Sequence, residues 1–292
     1  MRYLYYPGCS LKGIGRAYEE SLLAVCRGLG VELQEIEDWN CCGATAYMGT
    51  DETQALALAS RNLVLASREG LEVVAPCSAC YLVLNKTQHR LQESPAERRR
   101  VGQALQAAGL SYEGAAVPVR HPLDVLVNDV GLEAIRAKIT KPLHGLRVAP
   151  YYGCQIVRPY STFDDQVEPV AMDKLIEATG AEVVKYPLKT RCCGGSMTGT
   201  LPEVGLRLVY ILLREASKRG ADLIATTCPL CQFNLDAYQN QVEDQYGDCS
   251  LPVLYFTQVL GLAMGLPARQ LGLQRGVVPV APALKRRELS YA

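Results

Sequence analysis

Ten of the twelve cysteines in this 292-residue chain fall into two copies of one pattern. The first copy is Cys9, then Cys41-Cys42-Gly43, then Cys77-Ser78-Ala79-Cys80. The second is Cys154, then Cys192-Cys193-Gly194, then Cys228-Pro229-Leu230-Cys231. In both copies 34 residues separate the double cysteine from the CxxC pair, and 31 or 37 residues separate the first cysteine from the double one. Chance does not set one 34-residue gap twice. Further residues repeat with the cysteines. YLYYPGC matches VAPYYGC, and PVRHPLDVL (Pro118–Leu126) matches PVLYFTQVL (Pro252–Leu260). Two copies are too few for a solenoid. A pair of domains related by a pseudo-two-fold is the better fit, with a boundary near KPLHGL, where Pro142 and Gly145 break the pattern. The domains are 1–144 and 145–292.

Each half reads as α/β. Arg2–Tyr6 and Leu146–Tyr151 are strands running into a Gly-Cys turn. Tyr18–Leu29 and Asp173–Thr179 are helices closed by Gly30 and Gly180, and Val31–Ile36 and Glu182–Tyr186 are the next strands. Thr53–Glu69 and Leu206–Arg219 are amphipathic helices, and the short apolar runs Leu71–Ala75 and Asp222–Thr226 end just before the CxxC pairs. Strands alternating with helices imply a mostly parallel sheet in each half, with the cysteines beyond the carboxyl ends of its strands.

Composition narrows the function. Lys+Arg and Asp+Glu both total 30, so there is no basic excess for nucleic acid or a membrane surface. No apolar run reaches the roughly 18 residues of a spanning helix. MRYLYYPGCS carries no signal-peptide pattern, which predicts a cytoplasmic chain. In that compartment paired cysteines are ligands or redox thiols more readily than disulfides. Five thiolates per half exceed the four of a tetrahedral zinc or an ordinary cubane. Spacing favours iron–sulfur but leaves zinc open. Cys26 lies on an apolar helical face and reads as core. Cys249 reads as incidental, with a repeat counterpart near Ala115.

The two complete CCG motifs, with YYPGCS, EDWNCCGA and VRHPLDVL, resemble the CCG-domain family of iron–sulfur proteins, and most of all the B-type subunit of heterodisulfide reductase. The resemblance implies two tandem Rossmann-like CCG domains. It implies two non-cubane [4Fe-4S] clusters, one held by Cys9, Cys41, Cys42, Cys77 and Cys80, the other by Cys154, Cys192, Cys193, Cys228 and Cys231. It further implies a catalytic component that cleaves or forms a disulfide between the clusters, with no catalytic side chain of its own. No ferredoxin-type cysteine run is present. A ferredoxin-like subunit, and a flavin-containing one beyond it, are therefore the implied partners in a complex, with a small disulfide or a lipoate-carrier-bound sulfur group as substrate. Two other readings stand beside it: the CCG subunit of a succinate, lactate or glycolate oxidoreductase, and a zinc-binding scaffold.

Charges near the cysteines (Lys12, Arg16, Arg158, Lys189, Arg191) read first as solvated, and second as binders of an anionic substrate end or as offsets to cluster charge. His89, His121 and His144 show no ligand spacing; His121 aligns with Tyr255 in the repeat, which argues against a zinc role and leaves a site-lining role open. Arg98-Arg99-Arg100 reads as a solvated face. The apolar tail Val277–Leu284 either docks a partner or packs on its own domain.

Overall fold

A computed structural model describes residues 1–44, 46–112, 117–160 and 163–289. It holds two four-stranded sheets, one from each half, and every strand pair is parallel. The first has the order β2-β1-β3-β4, with β1 Arg2–Tyr5, β2 Glu32–Glu35, β3 Val73–Val74 and β4 Val119–Arg120. The second repeats that order as β6-β5-β7-β8, with β5 Arg147–Tyr151, β6 Glu182–Val183, β7 Leu223–Thr226 and β8 Val253–Tyr255. The α/β duplication expected from the repeat is thus present. The fourth strand of each sheet, which the periodicity did not reveal, opens the repeated PV…VL segment. At two or three residues, such strands are too short to show an alternation.

One strand falls short for a visible reason. Glu182–Tyr186 forms only the two-residue β6, whereas its counterpart β2 pairs over four. Val184 donates to the Val148 carbonyl, so the next β5 residue facing that edge is Pro150. Proline has no N–H to continue the ladder. The first half has Tyr5 at this point, and its carbonyl accepts from Ile36 N–H.

One large apolar cluster runs through both halves, with a smaller one of Leu56, Val64, Leu91, Val101 and Leu105 in the first half. Helix Arg16–Gly28 packs on helix Phe256–Ala263, and Leu132–Arg136 packs on Ala171–Ala178. Along this seam Tyr18 stacks on Tyr255 at 4.4 Å, and the Ser21 and Thr257 hydroxyls lie 2.7 Å apart. Cys26 is buried on its helical face as expected. Cys249 is also buried, although it sits in the connection between Tyr246 and β8, between exposed Asp248 and Ser250. Its expected counterpart near Ala115 lies outside the described residues. The tail folds back on the chain: Val280, Ala283 and Leu284 are buried, Asp236 accepts from the N–H groups of Val277 and Val278, and Arg275 pairs with Glu20.

Candidate metal centre

Each half brings its five cysteines to the carboxyl end of its sheet. Strands β1 and β5 end in a turn at Gly8 and Gly153, and Cys9 and Cys154 follow. Both glycines have left-handed φ, +64° and +72°. Both also lie against the sulfur of the second CxxC cysteine: a Cβ would come 2.9 Å from Cys80 Sγ at Gly8, and 3.3 Å from Cys231 Sγ at Gly153. The position demands glycine for conformation and for space.

The double cysteines follow β2 and β6. A tyrosine three residues before the first cysteine of each half holds this turn. Tyr6 donates to the Asn40 carbonyl at 2.6 Å, and Tyr151 donates to the Arg191 carbonyl at 2.6 Å. Each carbonyl belongs to the residue just before the double cysteine. In the second half Gly194 N–H and Gly195 N–H also point at the sulfurs of Cys192 and Cys193, at 3.3 and 3.4 Å.

The CxxC pairs sit at helix starts. Cys77 is the N-cap of Ser78–Glu93 and Cys228 that of Pro229–Ala237. Neither sulfur makes a cap hydrogen bond, but backbone N–H groups of the first turn lie near both and act to lower their pKa. A helix N-terminus favours thiolate.

The sulfurs form an unbroken run. Cys9 lies 4.0 Å from Cys41, and Cys42 lies 3.4 Å from Cys80. Cys41 contacts Cys42, and Cys80 contacts Cys77. Cys77 then meets Cys228 across the seam. From there the sequence reverses: Cys228 to Cys231, Cys231 to Cys193 at 3.5 Å, Cys193 to Cys192, and Cys192 to Cys154. The middle of the run is buried, and its ends at Cys9, Cys41 and Cys192 are exposed. Neighbouring thiols donate along it. Hydrogen bonding with Cys41 and Cys80 lowers the Cys42 thiol to about 4, and hydrogen bonding with Cys154 and Cys193 lowers Cys192 to about 2. Cys228 is lowered by Cys231 and Cys77, while Cys77 is raised in turn. Dense soft thiolates fed by backbone N–H groups are the donor set of an iron–sulfur site. Among the described residues no three His, Cys, Asp or Glu side chains gather tightly enough to hold one ion. A tetrahedral zinc would draw four sulfurs to within about 3.8 Å of one another.

His121 sits beneath the junction, fully buried. Its Nε2–H donates to the Pro76 carbonyl at 2.8 Å, with the Thr227 carbonyl also in reach, and its Nδ1 accepts from Leu123 N–H. Pro76 and Thr227 directly precede Cys77 and Cys228. Burial lowers its pKa to about 4, so the ring is neutral. Alignment of the two repeats, which pairs His121 with Tyr255, gives no sign of this bridge.

The charged residues fall differently. Lys12 pairs with Glu19 and Glu35, and Arg16 with Glu20, so they are partnered rather than free. Lys189 is not a solvated charge: it is buried, and donates to the Pro169 carbonyl at 2.6 Å and to Asp173 at 3.4 Å. A short connection with many backbone carbonyls gives it partners that composition does not show. Arg158 donates to the Thr190 and Gln166 carbonyls. Arg191 is exposed beside Cys192. His89 stacks on Tyr160 at 4.4 Å, and Arg100 pairs with Glu97.

The family model described as "CCG: Cysteine-rich domain" matches twice, over residues 3–85 and 148–236. The chain belongs to the CCG cysteine-rich domain family. It is 33% identical to the 8-methylmenaquinol:fumarate reductase membrane anchor subunit of Wolinella succinogenes, over 94% of this chain and 96% of that protein. It is 32% identical to the B-type subunit of the ferredoxin/F420H2-dependent CoB-CoM heterodisulfide reductase of Methanosarcina acetivorans, over 94% and 92%. A crystal structure of a hypothetical protein from Helicobacter pylori shares the fold, with a TM-score of 0.75 at 14% identity over 95% of this chain and 52% of that one. The chain is thus a CCG iron–sulfur protein that groups with the B-type subunits of heterodisulfide reductase, an oxidoreductase family. No helix among the described residues is long and apolar enough to cross a membrane.

Proposed function

We infer that this chain is the iron–sulfur component that cleaves, or forms, a disulfide at the junction of its two halves. The observation that carries this reading is the run of ten sulfurs, symmetric about the contact of Cys77 with Cys228. The run divides into two sets of five, one from each CCG domain, 1–144 and 145–292. Each set would hold one non-cubane [4Fe-4S] cluster. When bound, such clusters supply single electrons and iron sites that accept sulfur. The protein's part is to hold, orient and screen. Strand ends and helix N-termini fix the thiolates. Tyr6 and Tyr151 fix the double-cysteine turns, and His121 ties together the two peptides that lead into the CxxC pairs.

Reduction of a disulfide takes two electrons and two protons and releases two thiols. A substrate with two sulfur ends suits a site built from two equivalent halves. Electrons would come from a ferredoxin-like subunit, with a flavin-containing one behind it, and the complex would work in the cytoplasm. The substrate class is a small disulfide or a carrier-bound lipoyl sulfur.

A second reading is favoured by the Wolinella relative, whose name places it with a quinol:fumarate reductase. There the same sulfur sets would relay electrons between a quinol and a dehydrogenase. One anaerobic assay separates the two. With dithionite-reduced methyl viologen as donor, the first reading expects two thiols released per two viologens oxidised when oxidised lipoamide or a mixed disulfide is added. Absence of thiol release, together with oxidation of a menaquinol analogue, would support the second.

A further inference from the structure

The two halves differ in one layer. From Cys80 to Pro118 the chain runs 38 residues, but from Cys231 to Pro252 only 21. The extra residues in the first half carry helix Pro95–Ala107. This helix lies over helix Glu52–Ser67, where Val101 and Leu105 pack with Leu56, Val64 and Leu91. The second half repeats the underlying helix as Pro202–Lys218. Its inward positions keep the same spacing: Gly205-Leu206, Val209, Leu212-Leu213 and Ala216 answer Ala55-Leu56, Ala59, Asn62-Leu63 and Ala66. Ser60 and Val64, also buried in the first half, fall on Tyr210 and Arg214 in the second, and among the described residues no second-half helix corresponds to Pro95–Ala107.

The uncovered face is both apolar and basic. Leu201, Val204 and Ile211 are 47%, 37% and 38% exposed. Arg207 lies over the rings of Tyr210 and Tyr246 at 5.5 and 5.4 Å, and Arg214 lies over Tyr210 at 5.6 Å. Tyr210 and Tyr246 stack at 4.7 Å. Among the described residues, Arg207, Arg214 and Lys218 have no carboxylate ion-pair partner. A groove of about 190 Å³ runs between Leu188, Tyr210, Ile211, Glu215 and the basic residues, and its one carboxylate, Glu215, is already paired with Arg219 at 2.5 Å. The helix also backs the second cysteine set, since a Cβ on Gly194 would meet Leu208 at 3.0 Å and the Gly205 backbone at 3.2 Å.

We propose that this face docks an acidic electron-transfer protein, which lays an amphipathic helix where the first half carries Pro95–Ala107. The three cations fit carboxylates on that helix, and the exposed aliphatic side chains fit its apolar stripe. The contact would bring the partner's redox centre to within one helix layer of Cys192 and Cys193. The proposal rests on the reading that this chain takes electrons from a separate protein.

The test uses the complex isolated anaerobically from the native host through a tag on this chain. Hydrogen exchange over residues 201–218 is expected to slow in the complex and to return to the isolated-chain rate when the complex is dissociated with salt. Arg207→Glu/Arg214→Glu is expected to weaken retention of the ferredoxin-like subunit at least about tenfold at low salt. Iron content and viologen-driven disulfide reduction should stay unchanged in that variant. Arg99→Glu/Arg100→Glu, on the covering helix of the first half, should leave retention unchanged. Unaltered retention in the first variant, equal loss in the control, or protection arising from a second copy of this chain would overturn the proposal. Should the double variant not fold, the exchange footprint of the wild-type complex decides alone, and unprotected residues 201–218 refute it. Failure of viologen-driven reduction in the wild-type protein would instead strike the functional reading.

Discussion

Cys77 and Cys228 touch across the seam between the halves, both fully buried, each the N-cap of a helix whose first turn carries its CxxC partner. If five cysteines serve each cluster, the halves lose metal independently. Cys42→Ala and Cys193→Ala are each expected to remove about half of the iron and the spectroscopic signature of the mutated half alone. Electron paramagnetic resonance of the two single variants checks this. Loss of both signatures in either variant would mean one shared centre.

The tyrosines Tyr6 and Tyr151 offer a test that bears on the scaffold. Each hydroxyl donates to a carbonyl beside a double cysteine. Phenylalanine removes the donor and leaves that acceptor poorly paired, at a cost of about 1–3 kcal/mol. Because the sites lie in different halves, the double variant should show the sum of the single losses in guanidinium unfolding.

Gly8 and Gly153 predict a ranking. Alanine at either position meets left-handed φ, and at Gly8 its Cβ also presses closer to sulfur, 2.9 Å against 3.3 Å. Gly8→Ala should cost more stability than Gly153→Ala, with each above about 1 kcal/mol. Urea midpoints of the two variants would show the order, and the reverse order would contradict the geometry.

His121 makes stability depend on pH. Its folded pKa, about 4, lies below the ordinary histidine value near 6.5. The unfolded chain therefore binds the proton first, so stability falls as pH drops from about 6.5 to about 4 and the loss is complete below that. The full effect is on the order of 3 kcal/mol. His121→Gln should flatten this part of the thermal-unfolding profile. It should also loosen the CxxC junction, read as broadened cluster spectra at neutral pH.

Much of this was legible in the sequence, because the repeat supplied two readings of every element. The strand–helix alternation and the convergence of ten cysteines followed from the 34-residue spacing and the strand ends. Three things stayed hidden. Pro150 shortened β6 through a missing N–H that matters only once the neighbouring register is known. Lys189 looked like a surface charge because its main partner is the Pro169 backbone carbonyl, which no side-chain pattern reports. The bridge from His121 to two peptides 151 residues apart depends on how the halves meet. Two signals were available and unused: the tyrosine three residues before Cys9 and Cys154, and a glutamine eleven residues after Cys77 and Cys228. Gln88 and Gln239 each accept from a backbone N–H of the connection that leads to the fourth strand, at Val117 and Leu251.

Iron and acid-labile sulfide per chain, measured on anaerobically purified protein, test the central claim most directly. Two five-cysteine sets that each hold a [4Fe-4S] cluster give about eight irons and about eight sulfides per chain. Zinc without sulfide, or about four irons unaffected by loss of either double cysteine, would contradict it.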